Sequence, residues 1–324
     1  MRCVLRLSEA PVGNGYSRVL GGIMGRSKVR GIEMAGVKLA IEVPSNCSWQ
    51  WPTRELEELS GPPLDADVQI GVRVGKPRRV NGETFRYESR GIRFEIGWEG
   101  EDWAVAVYGK SGLERTARFD ADFKHGEIVI DPEHAAAAPY PLEYPLDDLI
   151  LLHRLTREGC IVVSGSVSVT DGEALLFLES HTGVPASALG MQTSQRSSEH
   201  FVLRPVHSKD SSNSNQVWLY ATPWHAAHSA TSWQRVPLQA IHVLCPGGDQ
   251  PFEALDPGDA ENEILQHVFA PVHDPDAATR LLEVVSHIAR RTSVLKMRQP
   301  KLSREISFNW DSPQSSMGFA SAPM

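Results

Sequence analysis

The sequence predicts an α+β chain in which a β-rich N-terminal domain over residues 1–138 precedes an α/β domain over residues 139–299 and a disordered tail over residues 300–324. Three observations carry this. Between Val68 and Ile130 apolar residues recur at every second position. The run "DPEHAAAAPYPLEYPLDD", with Pro132, Pro139, Pro141 and Pro145, then breaks every period. Beyond it, helical and alternating segments succeed one another.

The strands "DVQIGVRV", "GIRFEIGW", "WAVAVY" and "GEIVI" put apolar residues on one face and polar ones on the other, as a half-buried, mostly antiparallel sheet requires. Asn81-Gly82 in "RVNGETF" tolerates positive φ and predicts a tight hairpin between the strands flanking it. The preceding Gly-rich "LGGIMGRSKVRG" and Trp-bearing "NCSWQWPTRELEEL" belong to this unit, the latter with one short helix.

The proline run reads as a linker. After it, "PLDDLILLHRLTREG" places Leu149, Leu152 and Leu155 on one helical face, offers Asp147 and Asp148 to the positive end of the dipole, and stops at Gly159. "CIVVSGSVSV" and "ALLFLE" are strands joined across an Asp171-Gly172 turn; "SSEHFVLRPV", "QVWLYATPW" and "PLQAIHVLCP" are further strands, and "HSKDSSNSN" is a mobile surface loop. Asp274 caps a last helix with Pro275 in its first turn, an apolar stripe of Leu281, Val284, Val285 and Ile288, and a basic end at Arg290-Arg291. "TSVLKMR" is the final strand.

Hydrophobic content of 41% and charged content of 22% describe a globular chain, and a net charge of -8 argues against a broad nucleic-acid face. The four cysteines, Cys3, Cys47, Cys160 and Cys245, form no C-x-x-C pair, and no apolar run approaches the roughly 20 residues a membrane helix needs. The expectation is a cytoplasmic protein with reduced thiols, no membrane or nucleic-acid contact, and a protein or peptide partner.

The order of "YPLDDLILLHRL", "SGSVSVTDGEALLFL", "SSEHFVLRP", "LYATPW", "VPLQAIHVL" and "FAPVHDPDAATRLLEVV" resembles the HPr serine kinase-like proteins, a branch of the phosphoenolpyruvate carboxykinase-like P-loop proteins. The resemblance covers Pro141 to Arg298 and implies a P-loop α/β domain in which a strand delivers G-x-x-x-x-G-K-[ST]. In "EALLFLESHTGVPASALG" that Walker A pattern is degenerate: Glu179 stands at the first glycine, Val184 at the second and Pro185 at the lysine. A phosphate loop needs converging N–H groups, an ammonium and a hydroxyl; Glu179 adds like charge to a polyphosphate, Val184 restricts the backbone, and Pro185 removes both ammonium and N–H.

By that resemblance the vestigial loop comprises His181, Thr182, Gly183 and Ser187, with Ser166 on the strand before it; Glu199, in place of an acidic pair, is the candidate base; Thr222 and Trp224 line the cleft, where Lys296 and Arg298 are candidate cations. His225 and His228, with His200 or Glu199, have metal-like spacing of weak specificity, and no metal is assigned. The leading expectation is a non-catalytic, pseudokinase-like factor that binds a protein or peptide and requires no cofactor. The alternative is an atypical serine kinase acting on a small protein or peptide, with ATP and Mg, Glu199 as base, and Lys296 or Arg298 replacing the loop lysine.

Overall fold

A computed structural model describes residues 27–45, 47, 49–52, 57, 60–61, 65–89, 91–137, 139–179, 199–206, 216–222, 235–246 and 252–299. The chain divides into two compact units: Met1–Ile32, Lys38–Arg54 and Ser60–Pro145 form the first, and Glu33–Val37, Glu55–Leu59 and Leu146–Met324 the second. The helix expected in the Trp-bearing segment, the loop "HSKDSSNSN" and the tail from residue 300 lie outside the described residues.

The first unit is built on nine strands: β1 (Ser27–Met34), β2 (Val37–Pro44), β3 (Ser60–Gly61), β4 (Val68–Val74), β5 (Thr84–Ser89), β6 (Ile92–Glu99), β7 (Asp102–Gly109), β8 (Gly112–Phe119) and β9 (His125–Ile130), ordered β3-β1-β2-β4-β9-β8-β7-β6-β5. From β5 to β9 the sheet is an antiparallel meander, whereas β4 runs parallel to both β2 and β9. The sheet is therefore mostly antiparallel, as expected, with β4 as the parallel exception. The hairpin expected at Asn81-Gly82 does not form, because β2 and β9 occupy both edges of β4 and leave none for β5. Gly82 still takes positive φ, +112°, in a loop where Asn81 N–H donates to Glu99.

One face of this sheet is apolar. Trp103, Phe119 and Phe123 are buried within it, with the last two stacked at 5.1 Å. The proline run is not a loose linker but part of this core. Asp131 caps the short helix α1 (Pro132–Ala135), Tyr140 and Leu142 are buried, and Tyr140 packs 5.3 Å from Trp49 and 5.7 Å from Trp51. Buried Arg115 donates to the carbonyl oxygens of Glu143 and Tyr144 at 3.1 and 3.2 Å, so the prolines end helical periodicity without freeing the backbone.

The second unit opens with α2 (Leu146–Arg157), which stops at Gly159 in positive φ, as the sequence requires. Its strands are β10 (Ile161–Thr170), β11 (Glu173–Glu179), β12 (Glu199–Pro205), β13 (Val217–Ala221), β14 (Arg235–Pro246), β15 (Phe252–Ala254), β16 (Val268–Phe269) and β17 (Ser293–Gln299); between them lie α3 (Pro257–Leu265) and α4 (Pro275–Arg291). β10 and β11 turn on Asp171 and Gly172, both at positive φ (54° and 82°), the turn that Asp-Gly favours.

Two long strands organise the sheet. The first half of β10 pairs with β12 and the second with β11, while β14 pairs with β13 at its start and with β11 and β17 beyond. The circuit β10-β12-β13-β14-β11 thereby closes on itself. Its core joins Ile161, Val163, Leu176, Leu178, Leu203 and Leu219 to Ile264 of α3 and Leu281, Val285 and Ile288 of α4. Each such side chain taken from water contributes about 1.5–3 kcal/mol before chain entropy. The molecule is thus β-rich, with mixed sheets and few helices. Among the described residues no helix is long and apolar enough to cross a membrane.

Candidate functional site

The strand register brings several of the expected site residues to one end of the second unit. Ser166 of β10 lies opposite Phe177, close to the end of β11 at Glu179; its neighbour Gly165 lies opposite Glu199, the first residue of β12. β10 runs between β11 and β12, so the segment of residues 180–198 leaves and returns beside the same short stretch of β10. Gly165 is required there. A Cβ on it would stand 2.7 Å from the carbonyl oxygen of Phe177, inside van der Waals contact.

The hydroxyls of Thr222 and Ser164 at this end are already engaged. Thr222 follows β13, is buried, and donates to the carbonyl oxygen of His200 at 2.5 Å, with Phe201 opposite Ala221 holding the two strands in step. The carbonyl of His267 accepts from the amide of Ser164 at 2.9 Å and lies 3.4 Å from its hydroxyl. Ser166 is buried on β10. His181, Thr182, Gly183, Ser187, Trp224, His225 and His228, and the side chain of Glu199, lie outside the described residues.

The candidate cations are at the same strand ends, each held by a carboxylate. Parallel pairing aligns Leu178 with Val243 and Lys296, and Glu179 with Leu244 and Met297. Residues level with one another in a sheet share a face, so Lys296 and Glu179 lie on opposite faces. Lys296 Nζ is 3.0 Å from Glu263 of α3, whose hydrogen bond raises the lysine's pKa; Arg298 meets Glu253 of β15 at 2.5 Å. Beside them Cys245 has a raised pKa, chiefly from burial, so its thiol is protonated at neutral pH. The described side chains thus offer this end carboxylates paired to its cations, with Glu179 in addition. That is a poor field for a polyphosphate.

A second polar cluster, legible in the sequence only as the Asp274 cap, lies where α2 meets the start of α4. His153 and His273, both buried, face each other Nε2 to Nε2 at 2.8 Å. Asp274 Oδ2 lies 3.3 Å from His153 Nδ1 and accepts from Arg157 at 2.8 Å, while Asp274 Oδ1 caps the helix by accepting from Ala277 N–H at 3.1 Å. Arg157 also lies 3.1 Å from His153 Nδ1. Burial lowers the pKa of His153 against the pull of Asp274, and burial together with His153 lowers that of His273 to about 4. For Asp274 burial acts upward, but the bonds from His153, Ala277 and Arg157 outweigh it and hold the carboxyl well below its usual range.

This cluster is a neutral imidazole pair beside a charged Arg–Asp pair, built into a helix start. The signal that could have found it is the i, i+4 pair His153 and Arg157 on one face of a helix, together with His-Asp-Pro at the next helix start. Among the described residues no three His, Cys, Asp or Glu side chains are placed to hold a metal ion. Compared with known proteins, the chain matches no family model and no curated sequence.

Proposed function

We propose that this chain is a degenerate member of the HPr serine kinase-like proteins that keeps the strand scaffold of a phosphate-loop domain and binds a protein or peptide without transferring a phosphoryl group. The observation that carries this reading is the pairing at the strand ends: Lys296 is held by Glu263 and Arg298 by Glu253, so neither cation supplies the charge that Pro185 removes. β11 ends at Glu179 and β12 begins at Glu199, opposite Gly165 of β10, so the two strands that flank the expected loop position lie beside one strand, and this supports the ancestry.

The residues do not fit magnesium–ATP. Oriented positive charge on the transferring group is the main device of phosphoryl transfer, and removing one such contact commonly costs orders of magnitude in rate. A site with Glu179 at its entrance and both nearby cations neutralised has no substitute among the described residues. Isothermal titration of the full chain with magnesium–ATP and magnesium–ADP is the test. The expected result is no saturable heat; magnesium-dependent binding at micromolar nucleotide would overturn the reading in favour of the kinase alternative.

A further inference from the structure

We propose that the first unit holds an acidic peptide segment of a partner protein on a basic patch made by Lys76, Arg78 and Arg79 of the β4–β5 loop together with Arg93 and Lys110. This is a site of the first unit, distinct from the strand ends of the second, and it rests on the reading above only in taking a peptide as the ligand. All five side chains are exposed. Among the described residues none of the five forms an ion pair, whereas Arg73, Arg86, Arg115 and Arg118 of the same sheet are each matched, to Glu127, Glu95, Glu143 and Glu99. Unmatched positive charge is thus concentrated in one place.

The loop is held so that its cations stay together. Gly75 N–H donates to the carbonyl oxygen of Ile130 at 2.9 Å, Pro77 is buried, and Asn81 N–H donates to Glu99, so the run Lys-Pro-Arg-Arg is tied down on both sides and within. Beside it is Tyr108 of β7, on whose ring Arg93, opposite in β6, lays its guanidinium 4.3 Å from the centroid. Burial and the bond to Glu95 raise the pKa of Tyr108, while the charges of Arg79 and Arg93 pull it down, which puts Arg79 in reach of the same hydroxyl. Lys110 stands two residues beyond Tyr108, in the turn between β7 and β8. Neighbouring carboxylates do not cancel this charge. Glu95 accepts from Tyr108 at 3.1 Å and lies 3.3 Å from Arg86, and Glu88, opposite Arg93, makes no ion pair with it among the described residues.

Charge selects the sign of the ligand, and the surroundings select its size. Guanidinium groups fork onto carboxylates in pairs, so the adjacent Arg78 and Arg79 suit a side-chain carboxylate better than a point charge would. A long polyanion would extend past the patch onto Glu95, Glu99 and Glu127, which share the face of Arg93, on a chain whose net charge is -8. A short run of Asp or Glu ends where the patch ends. Exposed contacts of this kind are individually weak, speed the encounter, and fade with salt.

Fluorescence anisotropy of a labelled oligoglutamate peptide, titrated with the full chain, is the test. Binding is saturable at low salt and weakens steadily as salt rises. Arg78→Glu combined with Arg79→Glu weakens it about tenfold or more, and Arg93→Ala about threefold. Lys28→Glu combined with Lys124→Glu makes the same change of net charge in β1 and at the start of β9, and leaves binding within about twofold. The substituted side chains are exposed, so thermal midpoints stay near that of wild type and show that the variants fold. Absence of saturable binding overturns the proposal. So does a reversal at 78 and 79 no more damaging than that at 28 and 124, or tighter binding of single-stranded RNA or of vesicles bearing anionic lipid. Magnesium–ATP titration reports on the second unit alone, so the two readings fail separately.

Discussion

The two polar clusters of the second unit are both built from oppositely charged side chains that tie a helix or strand to a neighbour, yet they lie in different surroundings. His153 is fully buried and Asp274 nearly so, whereas the pairs Lys296–Glu263 and Arg298–Glu253 keep between a fifth and a half of each side chain in solvent. Water screens the second set and barely reaches the first. The same pairing chemistry therefore locks a helix start in one place and only neutralises charge in the other.

The largest expected effect comes from breaking the buried set. Asp274→Ala removes the acceptor of Arg157, the neighbour of His153 and the cap of α4 together. Leaving a guanidinium buried without its carboxylate typically costs about 3–5 kcal/mol, with about 1 kcal/mol more for a lost cap. Urea unfolding should show a midpoint shifted by an amount of that order at unchanged slope. Asp274→Asn, which keeps an acceptor for Ala277, should fall between wild type and alanine. A loss under about 1 kcal/mol for alanine would erase the distinction between the clusters.

The second effect is a pH dependence confined to the buried set. His273 is depressed from 6.5 to about 4, so as pH falls the unfolded chain takes up its proton first. Stability from this group is full above pH 6.5, falls between 6.5 and about 4, and levels off below. The total is on the order of 3 kcal/mol. His153, also depressed, adds loss of the same sign, and Asp274 adds more once pH falls below the ordinary carboxylate range. Unfolding measured from pH 7.5 to 4 should lose that slope in His273→Gln.

What the sequence made legible was local. Asp171-Gly172 specified its hairpin, and Asp274-Pro275 with the stripe of Leu281, Val285 and Ile288 specified α4. α3 carries the same start, Asp256-Pro257, but went unread because only Ala260 and Ile264 are buried, too few for a visible stripe. Asn81-Gly82 announced a turn correctly as chemistry and wrongly as a hairpin, since which strands pair is decided by contacts distant in sequence. The candidate site failed to read for the same reason. His153 and His273 meet across 120 residues, and the carboxylates that occupy Lys296 and Arg298 come from other elements.

The smallest expected effect completes the contrast. Lys296→Met removes a pair whose desolvation is partial, and the aliphatic replacement keeps the packing of the lysine stem, so the change in unfolding free energy should be within about 1 kcal/mol. Arg298→Gln, at a more exposed pair, should change it by less still. The difference between Lys296→Met and wild type should shrink in 1 M salt, while the Asp274→Ala deficit should persist, because screening reaches only charges in contact with solvent. If instead the Lys296 deficit is large and salt-independent, the strand-end pairs are as integral to the fold as the buried cluster. Their neutralising role in the proposed site would then be a by-product of packing rather than a separate property of that end of the sheet.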